Sequence, residues 1–142
     1  LTLTEIGALK RGEDVVRANG ELLKVEDYTY IPYKGRSFAY CSDTAPFPKL
    51  ASYLRGVDLL YHEATFAEDL HDMARTTFHS TGAQAASVAL EAGVGRLVIG
   101  HFSSRYRDLN TILEEARAIF PVTEIAREGM KFDIPLIRFS EE

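Results

Sequence analysis

The chain has 142 residues, of which 46% are hydrophobic and 26% charged, enough to build one ordinary hydrophobic core. No apolar run approaches the roughly 20 residues that a membrane-spanning helix needs, so we expect no membrane partner. The formal net charge of −5 argues against a strongly basic protein that binds nucleic acid nonspecifically, but recognition of one particular nucleic acid stays open. The composition predicts a single domain over residues 1–142.

The first half of the chain predicts short strands separated by turns. Val15-Val16 and Leu22–Val25 flank Asn19-Gly20, a turn sequence typical of a β-hairpin. A further strand is predicted over 37–41, followed by a short helix that ends near Leu54. The chain has a single cysteine, which excludes an internal disulfide and fits a reducing compartment, so we expect a cytoplasmic protein.

A strand and a well-marked helix are predicted next. The strand covers 58–61 and runs directly into a polar segment. Thr81 is a suitable N-cap, with Gln84 three residues later as its capping-box partner, and Gly93 ends the alanine-rich run. The spacing therefore predicts a helix between Thr81 and Gly93.

The last third of the chain continues the alternation. It predicts a strand over 96–99, then a helix capped by Asp108 and ended by Pro121. Two short strands are predicted near 122–125 and 135–139. Alternating strands and helices predict an α/β fold, and the strand-rich opening predicts a mixed sheet covered by helices.

Polar groups follow three successive predicted strands. Open α/β sheets bind ligands at the carboxyl ends of their strands, and here these ends carry Asp43, His62-Glu63 and His101. A carboxylate and an imidazole suit a divalent metal, so Asp43 and His101 are candidate ligands. Glu63, His62 and His79 are candidate acid/base groups, since a carboxylate can orient an imidazole. Each of these residues, taken alone, also suits a turn, a cap or a strand end.

A basic loop follows the last of these strand ends. Arg105 and Arg107 flank Tyr106, so the loop could hold a phosphate while the tyrosine stacks on a base or sugar. An exposed loop with scattered charge explains the same residues.

Four motifs, in order, carry a resemblance to a known family. They are Tyr40-Cys41-Ser42-Asp43-Thr44, His62-Glu63-Ala64-Thr65-Phe66, His79-Ser80-Thr81 and Gly100-His101-Phe102-Ser103-Ser104-Arg105-Tyr106. Their order and spacing closely resemble the C-terminal half of ribonuclease Z, the tRNA 3′-processing endoribonuclease of the metallo-β-lactamase fold. The resemblance extends more loosely over nearly the whole chain. It implies the C-terminal half of an αββα sandwich.

The resemblance also implies metal and phosphate ligands. Asp43 would bridge two zinc ions and His101 would be a terminal ligand of one of them. Ser103, Ser104 and Arg105 would contact substrate phosphate.

The remaining motifs imply the chemistry. His79 would donate a proton to the departing 3′ oxygen, and Glu63 and His62 would support it. The family's reaction is attack of a metal-bound hydroxide on the phosphodiester of precursor tRNA, which removes the 3′ trailer and leaves a 3′-hydroxyl on the tRNA.

Part of the family's pattern does not occur in these 142 residues. The His-x-His-x-Asp-His signature, a further histidine ligand and the arm that grips tRNA all belong to the family's N-terminal half. The resemblance therefore implies that an N-terminal half is a partner, that the complete enzyme is a homodimer, and that this chain alone is inactive. Two other interpretations stay open: another phosphodiesterase or hydrolase of the same fold, and a catalytically silent assembly domain.

Overall fold

The computed structural model describes residues 1–29 and 33–138. Their secondary structure follows in chain order: α1 (Leu3–Lys10), β1 (Val15–Val16), β2 (Leu22–Leu23), α2 (Val25–Tyr28), β3 (Phe38–Cys41), α3 (Leu50–Tyr53), β4 (Leu59–Glu63), a 3-10 helix (Glu68–Leu70), α4 (His71–Thr76), α5 (Gly82–Ala92), β5 (Arg96–Gly100), α6 (Asn110–Ile119) and β6 (Thr123–Ile125). Within the described residues the chain divides into two compact units, Leu1–Lys34 with Leu136–Glu142, and Gly35–Pro135.

The first unit contains the predicted hairpin. β1 pairs antiparallel with β2, with Val15 opposite Leu23, which confirms the interpretation of the Asn19-Gly20 turn. α1 was not predicted, because its pattern is weakly amphipathic and Leu9 is its one buried residue. The strand predicted over 135–139 is reduced, in its described part, to a single antiparallel bridge between Arg138 and Tyr33, and residue 139 lies outside the described residues.

The second unit is built on a four-stranded parallel sheet in the order β3-β4-β5-β6. The α/β class is confirmed. The sheet differs from the mixed sheet expected from the sequence, because the antiparallel pair β1–β2 forms a separate sheet in the described structure. Parallel strands need crossover connections, and the helices between them supply these.

One face of this sheet packs against helices to form the core. Leu60, Leu97 and Ile99 lie on this face, buried beneath α3, α5 and α6. Small residues bring the helices close: a Cβ added at Gly82 would lie 2.7 Å from Cγ2 of Ile112 in α6. The alanine-rich sequence of α5 therefore serves close packing as well as helix formation.

The opposite face of the sheet carries aromatic side chains. Tyr40 stacks on Tyr61 of the neighbouring strand with ring centroids 4.5 Å apart. Tyr40 is 64% exposed and Phe38 is 58% exposed.

No helix found in the described residues is long and apolar enough to cross a membrane.

The start of α5 follows its sequence signal, whereas the start of α6 departs from it. Thr81 and Gln84 form the predicted capping box, and Gly93 ends α5 in a left-handed conformation with φ 64°. The prediction that Asp108 caps α6 was wrong, because the N-cap is Leu109. The Asp108 carboxylate instead accepts a hydrogen bond from the amide of Asn110, 3.0 Å away, as in a turn.

The capping box yields a stability prediction. The Thr81 hydroxyl accepts from the Gln84 amide at 3.1 Å and donates to a Glu68 carboxylate oxygen at 2.7 Å. Thr81→Ala removes both bonds and should lower the free energy of unfolding by about 1–3 kcal/mol in urea denaturation. Thr81→Ser keeps the hydroxyl and should lose well under half as much, whereas equal losses would show that the hydroxyl contributes little.

Candidate metal centre and active site

The predicted site residues lie at the carboxyl edge of the parallel sheet. The register pairs Cys41 with His62, and Glu63 with Gly100, so the three strands end side by side. The chain then leaves β3 and β5 through residues in the left-handed region, Asp43 with φ 50° and His101 with φ 59°. Such backbone conformations in residues other than glycine are uncommon and are concentrated at functional sites.

Asp43 and His101 meet across the end of β4. The Asp43 Oδ1 lies 3.2 Å from His101 Nε2, and both side chains are exposed. Two ligands of one tetrahedral ion, each about 2.0–2.1 Å from it, are about 3.3 Å apart. Ligand atoms of Asp43, His101 and His79 all lie within 4.8 Å of one another. The donor set and its spacing therefore fit a divalent metal ion.

Glu63 is the most heavily hydrogen-bonded side chain of the site. Its carboxylate is fully buried and accepts from main-chain and side-chain donors on three segments. The donors to Oε1 are His79 Nδ1 at 2.7 Å and the Thr44 amide at 2.9 Å; those to Oε2 are the Thr65 hydroxyl at 2.7 Å, the Ser80 amide at 3.0 Å and the Thr65 amide at 3.2 Å.

These bonds determine the charge of Glu63. Burial alone raises the pKa of a carboxyl group, but the hydrogen bonds from Ser80, Thr65 and His79 outweigh it, so the pKa of Glu63 is lowered from 4.5. Glu63 is therefore ionised at neutral pH, and its negative charge is matched by donors that converge on it.

Thr65 links the Glu63 carboxylate to His101 through hydrogen bonds. Its hydroxyl lies 2.7 Å from the Glu63 carboxylate and 3.0 Å from the His101 carbonyl oxygen, and the charged acceptor at the shorter distance takes its single proton. The Thr65 oxygen then accepts from His101 Nδ1, 3.0 Å away. With Nδ1 bonded to Thr65, His101 directs Nε2 toward Asp43, the arrangement that a metal-binding imidazole requires.

His79 is held by the same carboxylate. Its Nδ1 lies 2.7 Å from Glu63 and 3.3 Å from the Thr65 oxygen, so the Nδ1 proton is donated to the carboxylate. The centroids of the His79 and His101 rings are 5.3 Å apart, and the Phe66 and His79 rings lie edge-to-face with centroids 6.2 Å apart. With Nδ1 engaged, Nε2 is the atom of His79 that can exchange a proton with a bound molecule.

The structure does not bring His62 into this cluster. Its side chain is fully buried, and its Nδ1 lies 2.7 Å from the Glu63 carbonyl oxygen, so Nδ1 carries the proton. Nε2 has no hydrogen-bond partner in the described structure. Burial lowers the pKa of His62, although the bond to Glu63 opposes this shift, so His62 is a neutral residue bound to the main chain at the end of β4.

The predicted phosphate loop adjoins the cluster. The Ser103 amide donates to the Thr65 carbonyl oxygen at 3.0 Å, and Arg105 Nε donates to the Ser103 hydroxyl at 3.1 Å. Arg105 and Ser104 are exposed. The interpretation of Tyr106 as a stacking residue was wrong, because its half-buried side chain packs against the core and its hydroxyl accepts from the Ala67 amide at 2.9 Å.

Sequence reasoning gave no role to Thr65, Thr44 or Ser80, although each donates a hydrogen bond to Glu63. All three lie within the motifs that carry the resemblance, so the signal was present in the sequence. Thr44 and Ser80 donate through main-chain amides, which every residue type except proline has, so their side chains could not reveal this role.

Comparison with protein families agrees with this architecture. The family model described as "Beta-lactamase superfamily domain" matches residues 28–102, more than half of the chain. The chain belongs to the beta-lactamase superfamily.

Curated relatives named ribonuclease Z match most of the chain. The one from Bacteroides fragilis is 49% identical over 126 residues, which are 89% of this chain and 41% of the relative. The one from Cytophaga hutchinsonii is 49% identical over 133 residues, 93% of this chain and 42% of the relative. The resemblance to ribonuclease Z is thus confirmed, and the chain spans about two fifths of the length of these relatives.

Solved structures confirm the fold. The metallo-beta-lactamase fold protein YhfI from Bacillus subtilis superimposes with a TM-score of 0.60 and 25% identity, over 64% of this chain and 37% of that one. The short form of human tRNase Z superimposes with a TM-score of 0.58 and 28% identity, over 71% of this chain and 34% of that one.

The buried carboxylate yields a pH prediction. Because the pKa of Glu63 is lowered in the folded state, its charge stabilises the fold above pH 4.5, and this stabilisation is lost as the pH falls through the lowered pKa. In Glu63→Gln an amide NH₂ replaces one acceptor and opposes a buried donor. The variant should lose about 1–3 kcal/mol of unfolding free energy at pH 7, and its difference from wild type should shrink below pH 4.5.

Urea denaturation between pH 3 and 8 measures this difference. Glu91, an exposed residue of α5, offers the matched control, since Glu91→Gln should stay within about 0.5 kcal/mol of wild type. A loss in Glu63→Gln that does not vary with pH would contradict an ionised Glu63.

Proposed function

We propose that this chain supplies the C-terminal part of a metal-dependent endoribonuclease that removes the 3′ trailer from precursor tRNA and leaves a 3′-hydroxyl. The observation that carries the proposal is the pair of neighbouring dyads at the sheet edge. Asp43 lies 3.2 Å from His101, and Glu63 lies 2.7 Å from His79. The first suits a metal and the second suits proton transfer, and phosphodiester hydrolysis needs both.

His79 is the general acid in this proposal. Its Nδ1 proton is held by the ionised Glu63, which fixes the ring with Nε2 available to the substrate. A proton on Nε2 would then pass to the departing 3′ oxygen. Glu63 touches no substrate; it positions His79 directly and, through Thr65, His101.

Asp43 and His101 would hold zinc, with Asp43 as the bridge between two ions. Their 3.2 Å separation and the contact of His101 Nδ1 with Thr65, which leaves Nε2 directed at Asp43, support this assignment. Bound zinc supplies a hydroxide nucleophile at neutral pH and stabilises the charge that develops on phosphate oxygens. Ser103, Ser104 and Arg105 follow His101 in sequence and would contact the phosphate flanking the cleaved bond.

Two ligands are fewer than the three or more protein ligands that each zinc ion normally has. We therefore propose that this chain alone neither holds two zinc ions nor cleaves RNA, and that an N-terminal half supplies the missing ligands. The exposed aromatic sheet face of Phe38 and Tyr40 is the surface that the second half of an αββα sandwich would cover. The resemblance extends the proposal to a homodimeric, cytoplasmic enzyme.

Metal content and cleavage test the roles separately. The chain purified alone and dialysed against metal-free buffer should hold far less than two zinc ions by elemental analysis. Mixed with the N-terminal part of the Bacteroides fragilis relative, it should gain zinc and cleave a precursor tRNA but no small phosphodiester that lacks tRNA features. Zinc without cleavage of tRNA would favour another hydrolase of this fold.

Variants of the same mixture separate ligands from the acid. Asp43→Ala and His101→Ala should lose both zinc and activity. His79→Ala should keep its zinc and lose about 10²–10⁴-fold in cleavage rate, the usual contribution of a general acid. His71→Ala, which removes an exposed hydrogen bond to Glu68, is the matched control and should change neither. Loss of zinc from His79→Ala would instead make His79 a third ligand.

A further inference from the structure

Phe78 occupies an unusual position directly before His79. It follows the C-cap of α4, Thr77, and lies in the left-handed region with φ 60°; the residue is 75% exposed. The Phe78 amide donates to the Arg75 carbonyl oxygen at 3.4 Å, and the His79 amide donates to the Ala74 carbonyl oxygen at 2.8 Å. This pair of bonds is the Schellman motif, in which Phe78 takes the position that glycine normally fills.

Phenylalanine is a poor choice for this position on grounds of stability alone. A Cβ in the left-handed region is strained, and bulky residues there are genuine outliers. The ring recovers little from burial, because three quarters of the residue is exposed. An exposed aromatic side chain in a strained backbone conformation is therefore best explained by a contact with another molecule.

The surroundings of Phe78 indicate what that contact is. Consecutive Cα atoms are about 3.8 Å apart, so the ring of residue 78 starts within one residue of the proposed general acid. Phe66, whose ring contacts His79, also carries the Arg105 guanidinium over its face, 5.4 Å from the ring centroid. A cation and an exposed aromatic thus flank His79, a combination typical of sites for unpaired nucleotides.

We propose that Phe78 is a stacking platform for an unpaired nucleobase next to the cleaved phosphodiester. The inference rests on the proposed function and adds a substrate-binding residue to it. Every nucleobase has a π-face, so such a platform holds the strand beside His79 without reading its sequence. The left-handed turn gives the ring its exposure, and the two Schellman bonds hold both Phe78 and His79 in place.

A fluorescent oligonucleotide tests the platform on this chain as it is. A short unpaired ribonucleotide that contains 2-aminopurine should bind the chain, and its fluorescence should be quenched by stacking. Phe78→Gly should weaken binding by about 5–150-fold and abolish the quenching, which corresponds to the roughly 1–3 kcal/mol of one base–aromatic stack. Phe78→Tyr keeps a ring and should bind like wild type.

Two controls separate stacking from a structural role. Tyr53→Ala removes a similarly exposed aromatic from α3, which carries none of the candidate site residues, and should leave binding unchanged. Phe78→Gly should raise the midpoint of thermal unfolding by about 3–5 °C, because glycine relieves the left-handed strain.

Four results would overturn the platform. Equal binding and quenching by wild type and Phe78→Gly would leave RNA binding intact but remove Phe78 from it. A lower unfolding midpoint in Phe78→Gly would make the residue structural, and weaker association with the N-terminal part at unchanged RNA affinity would make it a protein contact. No binding by wild type would also overturn the platform, while the metal and cleavage assays would still decide the proposed function.

Discussion

The buried carboxylate of Glu63 is the interaction on which the rest of the site depends. A carboxylate removed from water is costly unless donors surround it, and here five hydrogen bonds converge on it from the loop after β3, from Thr65 and from the segment before α5. The same bonds join the segments that carry Asp43 and His79 to the end of β4, and Thr65 connects His101 through further bonds of its own. Loss of the charge would therefore disturb the geometry of all three side chains as well as the proton on His79.

The parallel sheet makes this convergence possible. Adjacent parallel strands end at the same edge, so residues that are 58 positions apart in sequence, Asp43 and His101, come within 3.2 Å. Glu63 is the last residue of β4, the strand between them, and its carboxylate faces the hydrogen-bond donors. His62, one residue earlier, lies on the helix-covered face of the sheet and is fully buried. Two neighbouring residues of one motif thus have different roles. Glu63 positions the side chains of the site, and His62 binds the main-chain carbonyl of Glu63 at the end of β4.

Much of the scaffold could be predicted from the sequence, because its signals are local. The Thr81–Gln84 capping box, the left-handed Gly93 and the polar residues after three strands each depend on a few neighbouring residues. The parallel sheet without the hairpin, the burial of His62 and the relay through Thr65 depend on how distant segments meet, which a single sequence does not encode locally. Phe78 could not be predicted for a different reason: its backbone is left-handed, a conformation that phenylalanine disfavours.

The most direct test of the role of Glu63 is to locate the protons on the imidazole rings. Long-range ¹H–¹⁵N NMR of the chain distinguishes the two neutral tautomers of each histidine. The account predicts that His79, in its neutral form, carries the proton on Nδ1, and that in Glu63→Gln the ring loses this preference. Nε2 protonation of neutral His79 in wild type would contradict it, because Nδ1 would then have no proton to donate to Glu63.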